Sequence, residues 1–120
     1  MAKTYAQVVG VVLIVVGLLG FIASDLLASL LGAAPSLVHN VIHLATGLIG
    51  AYIGFSAVSA ARSFAQVFGV IYALVALLGF VAPATLVGIG IEVTAMYNVI
   101  HLVIALWGLW AGFSRQPAVA

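Results

Sequence analysis

The sequence predicts an all-α integral membrane protein, a four-helix bundle made of two parallel two-helix repeats. Three observations predict it. Apolar residues make up 67% of the 120-residue chain and charged residues 4%, against roughly 45–50% and about 25% in soluble domains. Lipid therefore has to solvate most of the surface of what is, by length, a single domain. The apolar residues gather into runs of about 20, the length that crosses a hydrocarbon core of ~30 Å at ~1.5 Å per helical residue. Finally, Asn40-Val41-Ile42-His43-Leu44 returns as Asn98-Val99-Ile100-His101-Leu102, which ties the second run to the fourth.

In chain order, the first span is expected at about 5–23. Lys3 before it and Ala23-Ser24 after it imitate a signal peptide. The apolar run is too long for one, and it recurs later in the chain, so it is read as a permanent helix. Ser24-Asp25 are expected to cap a short helix over 26–31, closed by Gly32 and Pro35. Its Leu26, Leu27, Leu30 and Leu31 point to a segment lying flat at the interface. Ser36 is expected to cap the second span, about 37–57. Ser59-Ala60-Ala61-Arg62-Ser63 leaves room only for a reversal into the third span, about 64–82, which Pro83 stops. A glycine-rich connection with Glu92 follows. Thr94 is expected to cap the fourth span, about 95–114, and Arg115-Gln116-Pro117 to end it.

The repeat extends beyond the shared pentapeptide. Residues 5–23 align with 64–82, matching Gln7 to Gln66 and Gly10 to Gly69, and residues 40–56 align with 98–114. More than half of the aligned positions are identical in both comparisons. The units, about 5–57 and 64–114, are each a hairpin, so both insert in the same direction about an approximate two-fold axis along the membrane normal. Lys3, Arg62 and Arg115 fall on one side of such a bundle and Asp25 and Glu92 on the other. By the positive-inside rule both termini are expected in the cytoplasm.

Asn40, His43, Gly47, Gly50 and Gly54 follow a three–four spacing that makes one seam of a helix, repeated by Asn98, His101, Ala105, Gly108 and Gly112. In the first and third spans Gln7, Gly10 and Gly17, and Gln66 and Gly69, mark the corresponding faces. Small residues let membrane helices approach closely, so these seams are expected in the interior. Tyr5, Tyr52, Tyr97, Trp107 and Trp110 lie near span ends and are expected in interfacial belts. His39, whose counterpart is Tyr97, is read as an interfacial residue as well.

The interior polar pairs, Asn40 and Asn98, His43 and His101, Gln7 and Gln66, are the one candidate site. An ionisable side chain inside a membrane raises a functional question by default. His43 and His101 could ligate a haem b iron axially, carry protons, or hydrogen-bond neighbouring helices. The last is favoured. Two histidines and two asparagines make a poor zinc site, so no metal is expected. The chain has no cysteine, no carboxylate within a span, and no serine with a His–Asp set at recognisable spacing. A net charge of +1 without a basic patch gives nucleic acid no purchase.

The paired Asn-x-x-His motifs at Asn40, His43, Asn98 and His101, with glycine-rich tails, resemble a bacterial four-span membrane family, the domain of unknown function 4383. The resemblance covers nearly the whole chain and implies a location in the bacterial cytoplasmic membrane. It implies no activity. Ala105 departs from the pattern set by Gly47. The expectation is a structural or accessory membrane component, not an enzyme and without a cofactor. Its partners are the lipid bilayer and a second copy or another membrane protein, met through Trp107 and Trp110. Haem ligation by His43 and His101 is the alternative, and a small-solute or ion conductor lined by Gln7, Gln66, Asn40 and Asn98 a weaker one.

Overall fold

The computed structural model describes residues 1–115; Gln116 and Pro117, expected to end the fourth span, lie outside them. The described chain is all-α. Its helices are α1 (Ala2–Ile22), α2 (Ser24–Leu31), α3 (Leu37–Phe55), α4 (Ala61–Val81), α5 (Pro83–Gly88) and α6 (Ala95–Phe113), with one 3-10 turn at Val58–Ala60. The four long helices have 19 or 21 residues and are long and apolar enough to cross a membrane. Ser36 and Thr94 cap α3 and α6 as expected, each hydroxyl accepting from the amide three residues on, His39 and Tyr97.

Several boundaries differ from those expected. Helix α1 starts at Ala2, and α4 already includes Ala61, Arg62 and Ser63, so the reversal is the shorter 3-10 turn. Ser24 does not cap α2. Ala23 is at once the last cap of α1, its N–H bonded to Leu19 O, and the first cap of α2, which leaves no extended residue whose side chain could fold back. Leu27 of α2 turns inward at 4% exposure while Leu26 and Leu30 stay exposed. Pro83 does not merely stop a helix. It opens α5 at a first-turn position, where its missing N–H has no bond to lose.

Helix α1 packs chiefly against α3, antiparallel, and α4 against α6 in the same way. Backbones come close where glycines meet. A Cβ at Gly10 would fall on the Ala51 amide, and one at Gly69 would lie 2.6 Å from Leu109 N. Similar clashes surround Gly17, Gly47, Gly50, Gly54, Gly108 and Gly112. The amino ends of α1 and α4 lie together, with the Tyr5 and Phe64 rings 6.1 Å apart. Aliphatic burial comes mainly from α1 and α4, whereas every buried residue of α3 is Gly, Asn or His.

Two aromatic expectations are overturned. Tyr5 and Tyr97 are not interfacial but buried, at 0% and 3% exposure. Each finds a carbonyl for its hydroxyl, Tyr5 Oη donating to Ile104 O at 3.3 Å and Tyr97 Oη to Ala33 O at 3.0 Å. Gly108 makes the first possible, since a Cβ there would lie 2.6 Å from the Tyr5 hydroxyl. Trp107 is half-buried, edge-on to Tyr5 at 5.2 Å, while Tyr52 and Trp110 are exposed.

This packing predicts a contrast between two glycines. Gly10→Ala drives a methyl onto the α3 backbone and should lower stability by about 1–3 kcal/mol. Gly88→Ala meets nothing within 4 Å and should change it by less than about 0.5 kcal/mol. Unfolding of both variants in mixed micelles checks the order.

Candidate functional site

The polar interior splits into two ends. Near the chain termini, Gln7 Nε2 donates to Gly54 O at 3.1 Å. Gln66 Nε2 donates to Gly112 O at 2.9 Å, and Arg62 Nε joins it on the same carbonyl at 3.0 Å. These amides bridge the helices of each hairpin, 47 and 46 residues apart in sequence. They are not brought together with the histidines.

The other end is richer. After α5 the chain turns through Gly90, whose φ of +89° only glycine adopts easily, and this turn delivers Glu92 to the start of α3. Glu92 accepts from Ser36 N at 2.7 Å and from His39 Nδ1 at 2.8 Å. Opposite an ionised carboxylate, which only accepts, Nδ1 is the nitrogen that donates. The carboxylate also sits where the α3 dipole favours negative charge. Ser36 Oγ donates to Gly90 O at 2.6 Å while it caps α3. The exchange is reciprocal: Thr94 Oγ1 donates to Leu31 O at 2.5 Å and Tyr97 Oη to Ala33 O. Each hairpin's connection thus ties down the opening of the other hairpin's second helix.

His39 is therefore not an interfacial residue but a buried one, 2% exposed. Its burial is tolerable because Glu92 satisfies it. Its ring lies 4.2 Å from that of His43 and 6.1 Å from that of His101, and Tyr97 and Tyr72 close the group at 5.4 Å from His39 and 5.7 Å from His101. Three imidazoles and two phenols thus share one cluster. Asn98 lies beside it, donating Nδ2 to Gly79 O at 3.1 Å. Asn40 packs its side-chain amide against Gly20. Two buried atoms have no hydrogen-bond partner here, Asn40 Oδ1 and His43 Nδ1.

A cavity of about 210 Å³ opens between α3 and α4, lined among others by His39, His43, His101, Thr46, Phe68 and Tyr72. A smaller one of about 60 Å³ lies on the α1 side of His43, Tyr72 and His101. Among the described residues no three His, Cys, Asp or Glu side chains are grouped to hold a metal ion. Sequence reasoning missed Glu92, Tyr72, Thr46, Gly20 and Gly79 as members of this site. Nothing local links Glu92 to Ser36, 56 residues away. For Tyr72 and Thr46 a signal existed, since in the alignment of the two similar stretches they stand opposite Leu13 and Ile104.

Glu92→Ala would leave the Ser36 amide and His39 Nδ1 without their acceptor. It should cost about 1–3 kcal/mol, against less than about 0.5 kcal/mol for the exposed Asp25→Ala, which loses only a helix-dipole contact. Thermal unfolding of the two variants side by side tests this.

No curated protein and no solved structure matches the chain. The model of one family, the domain of unknown function DUF4383, matches residues 3–114, a stretch that holds all four apolar helices and the whole histidine cluster. With nearly its full length covered, this four-span membrane protein belongs to the DUF4383 family.

Proposed function

We propose that the chain is a structural or accessory component of the cytoplasmic membrane, not an enzyme. In this reading it is built of two parallel repeats and has both termini in the cytoplasm. One observation carries the proposal: the interior polar side chains are mostly spent on holding helices together. Gln7, Gln66 and Asn98 each donate to a carbonyl on a neighbouring helix, and Glu92 joins the two hairpins. Interhelical bonds of this kind contribute about 0.6 kcal/mol each on average, which suits a scaffold.

The repeat is supported by the same bond appearing at equivalent places, Gln7 to Gly54 and Gln66 to Gly112. The orientation is supported by charge. Lys3 and Arg62 line one groove at the end where α1 begins, while Asp25 and Glu92 belong to the connections at the opposite end. Short basic segments stay on the cytoplasmic side. Trp110, 56% exposed on α6, is an aromatic side chain available to meet a second copy or another membrane protein.

Haem ligation by His43 and His101 draws less support. The His39 ring packs against both of theirs. Conduction along the axis also draws less, because the Gln7 and Gln66 amides are already bonded to carbonyls.

Two measurements test the proposal. Protein purified from cells supplied with a haem precursor should show a flat visible spectrum, oxidised and dithionite-reduced. A Soret band with sharp reduced α and β bands, abolished by His43→Ala or His101→Ala, would replace the structural reading. The chain has no cysteine of its own, so single cysteines report orientation cleanly. In spheroplasts a membrane-impermeant maleimide should label Ser29→Cys and leave Ser59→Cys untouched until the membrane is opened; the reverse pattern would invert the topology.

A further inference from the structure

The bundle has two clefts between its hairpins, and they differ in chemistry. Aligning the halves of the repeat pairs Thr46 with Ile104, Tyr72 with Leu13 and Phe68 with Val9. The first member of each pair lines the cavity between α3 and α4. The second lines a cleft of about 280 Å³ between α1 and α6 whose walls are aliphatic apart from Trp107. The first cleft therefore has two hydroxyl-bearing residues in an otherwise largely apolar lining, and the second has none.

His43 adds an independent observation. Its side chain lines both this cavity and the smaller one on the α1 side and is only 6% exposed, and its Nδ1 has no hydrogen-bond partner among the described residues. In the acyl-chain region no bulk water is at hand to satisfy such an atom. The cavity's mouth lies in the lipid-facing surface, where Ile42 and Ile71 are 37% and 45% exposed, so an occupant enters sideways from the bilayer. Glu92 is already taken by His39, and no lysine or arginine lines the cavity. A charged head would find no counter-ion there. Thr46 Oγ1 donates to Ile42 O at 2.6 Å.

We propose that this cavity binds a single-chain lipophile with an uncharged oxygen head, an alcohol or a carbonyl such as a quinone ring. The head oxygen hydrogen-bonds His43 Nδ1, and the chain leaves between Ile42 and Ile71. An alcohol serves either tautomer of His43, whereas a carbonyl only accepts and requires the Nδ1–H form.

Photolabelling tests this. The protein in nanodiscs is irradiated with n-dodecanol carrying a diazirine in its chain, and labelled peptides are mapped by mass spectrometry. Label should saturate on α3 and α4 around Ile42 and Ile71. Unlabelled dodecanol or decylubiquinone should compete, the stronger competitor identifying the head, and dodecane should not. His43→Phe, and separately the double variant T46I/Y72L that copies the other cleft, should each raise the half-saturating concentration by about 3- to 10-fold, the worth of one hydrogen bond. Dodecane competing as well as dodecanol, label spread evenly over all four spans, or variants that saturate like the wild type would overturn the proposal. If His43→Phe fails to fold, T46I/Y72L decides alone, because it installs residues the same scaffold already carries.

Discussion

Everything in this bundle depends on how closely two helix backbones approach. Lipid tails are as apolar as leucine, so burying aliphatic surface gives little reason for membrane helices to associate, and dispersion and interhelical hydrogen bonds must do it. Glycine on both sides of a contact is the response here. Gly10 faces Gly50 and Ala51, and Gly69 faces Gly108 and Leu109. Once the backbones are this near, a glutamine side chain reaches the carbonyl opposite, as Gln7 reaches Gly54 O at 3.1 Å. Close approach and polar bridging are thus one device, used in both hairpins.

The same constraint explains where a site can exist. Within each hairpin the helices are sealed against one another, while α3 and α4 barely touch. Helix α3 buries no aliphatic side chain, so where it turns away from α1 it presents imidazoles to the gap. At the acidic end the gap is bridged by Glu92 and Ser36 rather than closed by packing. Below that bridge the cavity between His43 and Tyr72 is left.

Much of the fold was legible because membrane helices announce themselves by length and hydropathy, and because caps are local. Ser36 and Thr94 lie next to the helices they cap. The seams were legible too, since glycine spacing on one helix face needs no knowledge of the partner. What escaped were features set by distant partners. Tyr5 and Tyr97 look like interfacial aromatics until a carbonyl on another helix is found for each hydroxyl. His39 looked shallow for the same reason: its partner, Glu92, arrives 53 residues later. Helix α5 was hidden by Pro83, which reads as a terminator and here serves as an opening residue. The mean hydropathy of a span says nothing about which hydroxyls it turns inward, so Thr46 and Tyr72 stood out only when the halves were compared.

The reciprocal ties at the acidic end bear on biosynthesis. The backbone amide of Ser36 is completed by a carboxylate 56 residues downstream, and the carbonyl of Leu31 by a hydroxyl 63 residues downstream. When the first hairpin leaves the ribosome, α3 has its own serine cap but neither of these partners. The ties between the two hairpins can therefore form only after the second connection has been made, and that connection carries the groups that complete the first.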